Sequence, residues 1–175
     1  MRKLLILILI ASLGFSITDN WIENNEPNIR PFNDSKMSYT YILKNIIVGK
    51  YNEVREKAED STEYLHKGID YALNKNTPII ATGGGEVTFA EWCHGYGNTM
   101  IIQHGNGVYT LYAHMQRYQV LHGAEVKRGD IIGYVGSTGT AHGNHIHYEV
   151  RKNGKTIFPG RYISLKRRRQ NGSTQ

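Results

Sequence analysis

Gly143-Asn144-His145-Ile146-His147-Tyr148-Glu149-Val150 alternates polar and apolar side chains. An alternation with a period of two predicts a β-strand. Side chains two apart on a strand share a face, so His145, His147 and Glu149 point one way and Ile146, Tyr148 and Val150 the other. Two imidazoles on one face suit metal binding or proton transfer. A solvated strand face explains such a pair equally well.

Two more stretches bear on that choice. His66-Lys67-Gly68-Ile69-Asp70 places a His and a carboxylate four apart, on one side of either a helix or an extended chain. Gly68 and the β-favouring Ile69-Asp70-Tyr71 argue for the extended form. Val108-Tyr109-Thr110-Leu111-Tyr112-Ala113-His114 reads as a strand ending in a His. Together the three stretches supply two nitrogens and one carboxylate for a metal, plus two further imidazoles. Catalytic zinc takes three N, O or S ligands and keeps one position open, and this donor set favours zinc over iron or copper.

The chain has 175 residues, enough for one domain with a core and short extensions. Nineteen Gly against four Pro, with many Tyr, Ile and Val, suit an all-β fold with frequent tight turns. Cys93 is the one cysteine, which excludes an intrachain disulfide and a thiolate zinc site; it reads as a small apolar residue rather than a nucleophile.

Met1-Arg2-Lys3 followed by an uncharged run from Leu4 to Phe15 describes a secretory signal peptide over residues 1–16, too short an apolar run to span a bilayer. The competing reading is an uncleaved anchor or a buried helix. The formal net charge is +6; removing two of the 21 basic residues and none of the 15 acids leaves +4. A basic exported protein suits anionic polymers such as cell wall, and export argues against nucleic acid. The expected location is therefore the periplasm or cell envelope, or outside the cell, with no membrane span after processing.

Residues 17–48 read as an N-terminal arm: 17–38 are rich in Asn, Asp, Pro and Ser, while 39–48 fit strand or helix. Glu53 to Glu63 carries dense mixed charge and reads as a solvated loop. Thr77–Ala81 and Glu86–Phe89 flank Gly83-Gly84-Gly85, and Thr99–Gln103 and Val108–Met115 flank Gly105-Asn106-Gly107; both patterns predict hairpins, the second more strongly. Lys152-Asn153-Gly154-Lys155 is another turn. The small-residue loop Gly136–Gly143 precedes no Lys-Ser/Thr helix, so phosphate binding there has little support. Residues 166–175, opening with Lys166-Arg167-Arg168-Arg169, form a basic polar tail.

In chain order, His66-Lys67-Gly68-Ile69-Asp70, Gly95-Tyr96-Gly97-Asn98, His104-Gly105-Asn106-Gly107, Thr110-Leu111-Tyr112-Ala113-His114, Gly136-Ser137-Thr138-Gly139 and His145-Ile146-His147-Tyr148-Glu149 resemble the lysostaphin-type (LytM-type) zinc endopeptidases that cut peptidoglycan peptides. The resemblance covers residues 66–159, inside a peptidase domain expected over 49–165. It implies a compact antiparallel β barrel-sandwich with a groove over one zinc ion. It also implies His66, Asp70 and His147 as ligands, His114 and His145 as the catalytic pair, and peptidoglycan cross-links or stem peptides as substrate. The chain departs from relatives where His142 and Asn144 replace Thr and Pro, and where Asn52 and Glu53 replace an aromatic and a Gly before Arg55.

Among the remaining residues, His104 is expected to bond backbone in its turn, His94 and His122 to lie on the surface, and His142 to fill a loop or touch substrate. Glu149 either orients a ligand imidazole or is a plain structural carboxylate. Tyr112 lines the groove or, the safer reading, the core. Two other functions remain open. One is a catalytically inactive peptidoglycan-binding regulator on the same fold; such relatives have lost ligands, whereas all five positions are filled here. The other is a lipoyl or biotinyl carrier, whose turn Val126-Lys127-Arg128-Gly129-Asp130 resembles, but the expected attachment hairpin has no Lys.

Overall fold

The His-rich stretch opens a strand, His145–Lys152, at the middle of the largest sheet. A computed structural model describes residues 30–33, 46–57 and 60–161. The expected signal peptide, most of the N-terminal arm and the basic tail lie outside the described residues.

Among the described residues thirteen strands follow in chain order: β1 (Ile47–Gly49), β2 (Val54–Glu56), β3 (Glu63–Leu65), β4 (Ile69–Ala72), β5 (Pro78–Ile80), β6 (Gly85–Cys93), β7 (Gly97–Gly105), β8 (Val108–Ala113), β9 (Met115–Tyr118), β10 (Glu125–Val126), β11 (Ile131–Val135), β12 (His145–Lys152) and β13 (Lys155–Ile157). A short 3-10 turn at Pro159–Arg161 follows. The main sheet runs β1-β4-β12-β8-β7-β6-β10, and β13 takes the length of β12 beyond β4. A second sheet runs β5-β11-β9, and β2 pairs with β3. Every pairing is antiparallel. The structure is mainly β, as expected, but β1 and β10 remain separate edges, so the main sheet does not close into a barrel.

The alternation in β12 is realised. Ile146, Tyr148 and Val150 are fully buried in one cluster with Met100, Ile102 and Tyr112 of β7 and β8 and with Ile79, Met115, Ile132 and Val135 of the second sheet. Burying each such side chain is worth roughly 1.5–3 kcal/mol, which fixes which face of β12 turns inward. His145, His147 and Glu149 are thereby placed on the opposite face.

Two turns formed as the sequence indicates. Asn106-Gly107 joins β7 to β8 and Asn153-Gly154 joins β12 to β13, with φ of 48° and 72° and of 49° and 78°. Positive φ at both central residues is what an Asn-Gly hairpin turn requires.

Two expectations are corrected. Thr77–Ala81 and Glu86–Phe89 do not form a hairpin: β5 pairs with β11, while β6 pairs with β7 and β10. The triple Gly carries the chain from one sheet to the other. A Cβ on Gly85 would collide with the Gln103 carbonyl, so this Gly serves close strand approach rather than a turn. Glu53–Glu63 is more than a loop, because β2 and β3 pair within it and just beyond, with Val54 opposite Leu65 and Arg55 opposite Tyr64. Part of the arm packs against the domain. Phe32 is buried edge-on to Tyr71 with ring centroids 5.2 Å apart, and the Ile80 amide donates to the Pro31 carbonyl at 3.0 Å. Among the described residues, no helix is long and apolar enough to cross a membrane.

Candidate active site

Strand register assembles the site. β12 sets His147 beside Asp70 of β4 on one side and beside Ala113 of β8 on the other. His66 sits just before β4, and His114 just after β8. Three separate stretches therefore deliver side chains to one spot.

His66 Nε2, Asp70 Oδ1 and His147 Nδ1 form a small triangle. The separations are 3.0 Å between the nitrogens, 3.2 Å from His66 to Asp70 and 2.7 Å from His147 to Asp70. Tetrahedral ligands about 2.0–2.1 Å from zinc stand about 3.3 Å from one another, so the triangle is close to the required size.

The outward atoms test the fit more sharply. His66 Nδ1 lies 2.8 Å from the Lys50 carbonyl, which can only accept. His147 Nε2 lies 3.1 Å from Glu149 Oε1. His66 thus carries its proton on the outer nitrogen and turns a lone pair inward, while His147 has a carboxylate at each nitrogen, Glu149 on the outside and Asp70 on the inside. The His66 lone pair and the Asp70 carboxylate oxygen face each other at 3.2 Å and repel unless a proton or a metal ion lies among the three side chains. The donor set fits zinc on this ground. Asp70 Oδ2 is held separately by Arg55 Nη2 at 2.8 Å, which leaves Oδ1 for the centre. A Cβ on Gly49 of β1 would run into this ion pair, which accounts for the Gly there.

His114 and His145 stand beside the triangle with their ring centroids 4.6 Å apart. His114 donates from Nδ1 to the Thr138 carbonyl at 2.7 Å, and His145 from Nδ1 to the Gly143 carbonyl at 2.9 Å. Both rings therefore present an unprotonated Nε2; that of His145 is 4.0 Å from Asp70 Oδ1. His114 has φ of 59°, a left-handed conformation uncommon outside glycine, of the kind that clusters at functional sites. The Gly136–Gly143 loop has a job that the phosphate reading does not foresee. Thr138 orients His114, accepts from the Asn98 amide at 3.0 Å and donates to the Met115 carbonyl at 2.9 Å.

Electrostatics follow from burial and partners. Burial opposes charge on Asp70, but the His147 and His66 imidazoles set against it outweigh burial and hold the carboxyl well below the usual carboxylate range. Burial opposes charge on His147 too, yet the carboxylates of Asp70 and Glu149 raise its pKa. A proton and a cation thus compete for one place. Burial, with the neighbouring His145, pushes His114 down to about 4, so it is neutral and able to accept a proton at neutral pH. Burial lowers His145 as well.

A cleft of about 1210 Å³ runs over these groups. Tyr64, Lys67, Tyr96 and the residues 139–144 are among those that line it. The sequence-predicted His66, Asp70, His147, His114 and His145 all come together here. His94 and His142 are exposed on the rim, while His122 is exposed and outside the cleft lining. His104 is buried elsewhere, and Tyr112 is a core residue. Cys93 is half-buried. Sequence reasoning gave no role to Arg55, Tyr96, Arg151 or the Lys50 carbonyl. Arg151 had a legible signal: it stands two residues from Glu149 on one strand, and its guanidinium lies 2.7 Å from Glu149 Oε2. The Lys50 carbonyl had none, since any residue supplies one.

The family model described as Peptidase family M23 matches residues 64–159, more than half of the chain, and the chain belongs to that family. It is 48% identical over 95 residues, 54% of its length, to the DD-carboxypeptidase/endopeptidase Mpg of Neisseria meningitidis, of which it covers 22%. It is 42% identical over 104 residues, 59% of its length, to the murein hydrolase activator NlpD of Escherichia coli, covering 27% of that protein. The chain thus spans about a fifth to a quarter of the length of these relatives. Among solved structures it resembles a zinc-containing peptidase from Vibrio cholerae, with a TM-score of 0.64 and 27% identity over 76% of this chain and 39% of that one.

Proposed function

We propose that the protein is a zinc-dependent endopeptidase that hydrolyses peptide bonds in the cross-links or stem peptides of peptidoglycan. The observation that carries this reading is the convergence of three metal-ligating side chains, His66, Asp70 and His147, beside two imidazoles that line a cleft and whose Nδ1 atoms are held by carbonyls. Membership of the family, the likeness to Mpg and the likeness to the Vibrio zinc-containing peptidase support it.

His66, Asp70 and His147 would hold one zinc ion per chain. Bound there, zinc supplies a Lewis acid that polarises a carbonyl and lowers the pKa of a water molecule to about 7. The chain's own residues do the rest. The Lys50 carbonyl keeps the His66 ring in the binding tautomer, and Glu149 holds the His147 ring from outside. Arg55 fixes the Asp70 carboxylate. Neutral His114 and His145 accept and return protons at Nε2, and when protonated they donate to the charge developing on the scissile carbonyl. The cleft walls align an extended peptide across both groups.

A second reading, a non-catalytic regulator, draws on the likeness to the activator NlpD. One experiment separates the two. Purified peptidoglycan is incubated with the protein, with and without a chelator, and the products are weighed by mass spectrometry. New free amino ends that disappear with chelator are expected; intact wall under both conditions favours the regulator. We further propose export to the cell envelope after removal of residues 1–16. N-terminal sequencing of envelope material should begin near Ile17, and an intact Met1 in the cytosol would overturn this.

A further inference from the structure

We propose that Lys67 is a specificity-determining residue that takes a carboxylate of the peptide beside the bond to be cut; this rests on the endopeptidase reading above. Lys67 directly follows the ligand His66, is exposed and lines the cleft. Its main chain is fixed on both sides. The His66 amide donates to the Glu53 carbonyl, and the His66 carbonyl accepts from the Asn52 amide, each at 2.8 Å. Gly68 is buried, and a Cβ there would collide with the Tyr148 carbonyl. A flexible four-carbon stem thus carries an ammonium from a rigid root beside the metal centre.

The charges around it leave that ammonium unspent. Arg55 is taken up by Asp70 at 2.8 Å and by Glu53 at 3.1 Å. Lys57 stands near Asp60. Among the described residues, no side chain forms an ion pair or hydrogen bond with Lys67. Glu56, exposed and also lining the cleft, stands opposite Glu63 across β2 and β3. An acidic group entering the cleft is therefore repelled by Glu56 and drawn to Lys67. At the other end of β4, Ala72 and the exposed Val48 of β1 line the cleft without charge, and Asp70 lies between. The peptide favoured by this arrangement carries a carboxylate on the Lys67 side of the metal centre and a small uncharged residue on the Ala72 side. A stem peptide offers two carboxylates of this chemistry, a terminal one and one on a side chain, and the test tells them apart.

The test uses the full chain, its Lys67→Gln variant and three synthetic peptides. One parent carries a terminal and a side-chain carboxylate, and each of two derivatives has one of these as an amide. Initial rates give kcat and KM. With the unaltered chain, one amidation should raise KM by about fivefold, the upper end for an exposed ion pair, with kcat little changed. That amidation identifies the carboxylate recognised. Lys67→Gln should raise KM for the parent by the same factor and make that amidation costless. Zinc content and melting temperature should match in the two proteins, which separates recognising a substrate from holding the fold. Three results overturn the proposal: neither amidation changes KM, the amidation costs as much in Lys67→Gln as in the unaltered chain, or Lys67→Gln loses zinc. If no peptide is cut, the endopeptidase reading fails by itself. Titration calorimetry of the same peptides and proteins then judges Lys67, and equal affinity for parent and amides, or no binding, overturns its role.

Discussion

His104 and His147 are almost equally buried, at 3% and 6% exposure, on opposite sides of the same sheet, yet they do opposite things. His104 donates from Nδ1 to the Gly84 carbonyl at 2.7 Å, and its Nε2 lies 2.7 Å from the Thr110 hydroxyl. Thr110 continues to the Tyr112 hydroxyl, and Thr82 joins Tyr112 and Tyr148 at 2.9 and 3.0 Å. Every polar atom in this buried chain is matched by another, so it fixes the packing of the two sheets and has nothing left to bind. On the cleft side each histidine spends one nitrogen on a carbonyl or carboxylate and aims the other at a shared space. Buried histidines are therefore sorted by the nitrogen they leave over, not by their burial.

The largest expected effect follows from removing a leftover nitrogen at the centre. His147→Ala should lower zinc from about one per chain to nearly none, with activity lost alongside it, because metal binding needs all three donors. Metal analysis of the purified variant checks this, and full zinc retention would sink the ligand assignment. The next effect is smaller and different in kind. His114→Ala and His145→Ala should keep near-normal zinc yet slow peptidoglycan cleavage by about a hundredfold to ten-thousandfold, the usual cost of losing a proton-transfer group. Loss of zinc in either variant would make that residue a ligand. Full activity would make it a bystander.

Much of this contrast is readable in the chain itself. The period of two around His145 to Val150 fixes which histidines share a face, since a one-residue slip would bury them and expose Ile146 and Tyr148. The Asn-Gly pairs at 106–107 and 153–154 announce their hairpins because few residues tolerate two successive positive φ values. The false hairpin at Gly83–Gly85 shows the limit: a glycine that admits a tight turn and one that admits a neighbouring strand look alike in sequence. The parts that hold the site together were harder to read. The carbonyls of Lys50, Thr138 and Gly143 orient His66, His114 and His145, and a carbonyl leaves no mark in an amino-acid sequence. Arg55 reaches Asp70 only because β2 and β3 pair, and the dense charge of that segment hides the pairing.

The smallest effect concerns His104, where the two regions should differ in pH response. Burial lowers the His104 pKa, against a smaller opposing contribution from its bond to Gly84. In the unfolded chain a histidine titrates near about 6.5. Between the lowered folded value and about 6.5, the unfolded state therefore binds more protons than the folded state, and the stability His104 contributes falls as pH falls. The slope cannot exceed about 1.4 kcal/mol per pH unit for one group. His104→Gln has no such titration. It should be less stable than the unaltered chain at neutral pH by about 1–3 kcal/mol, since Thr110 and Gly84 lose well-placed partners. That deficit should narrow on acidification below about pH 6.5, because only the unaltered chain must leave a proton off this ring to stay folded. Urea unfolding of the metal-free proteins at several pH values measures it; His114 and His145, also lowered by burial, are present in both chains and cancel in the difference. Zinc content at neutral pH should be the same in both. A deficit that stays constant with pH would show that His104 is not held neutral by the fold. A loss of zinc would show that the core side and the cleft side of the sheet are coupled.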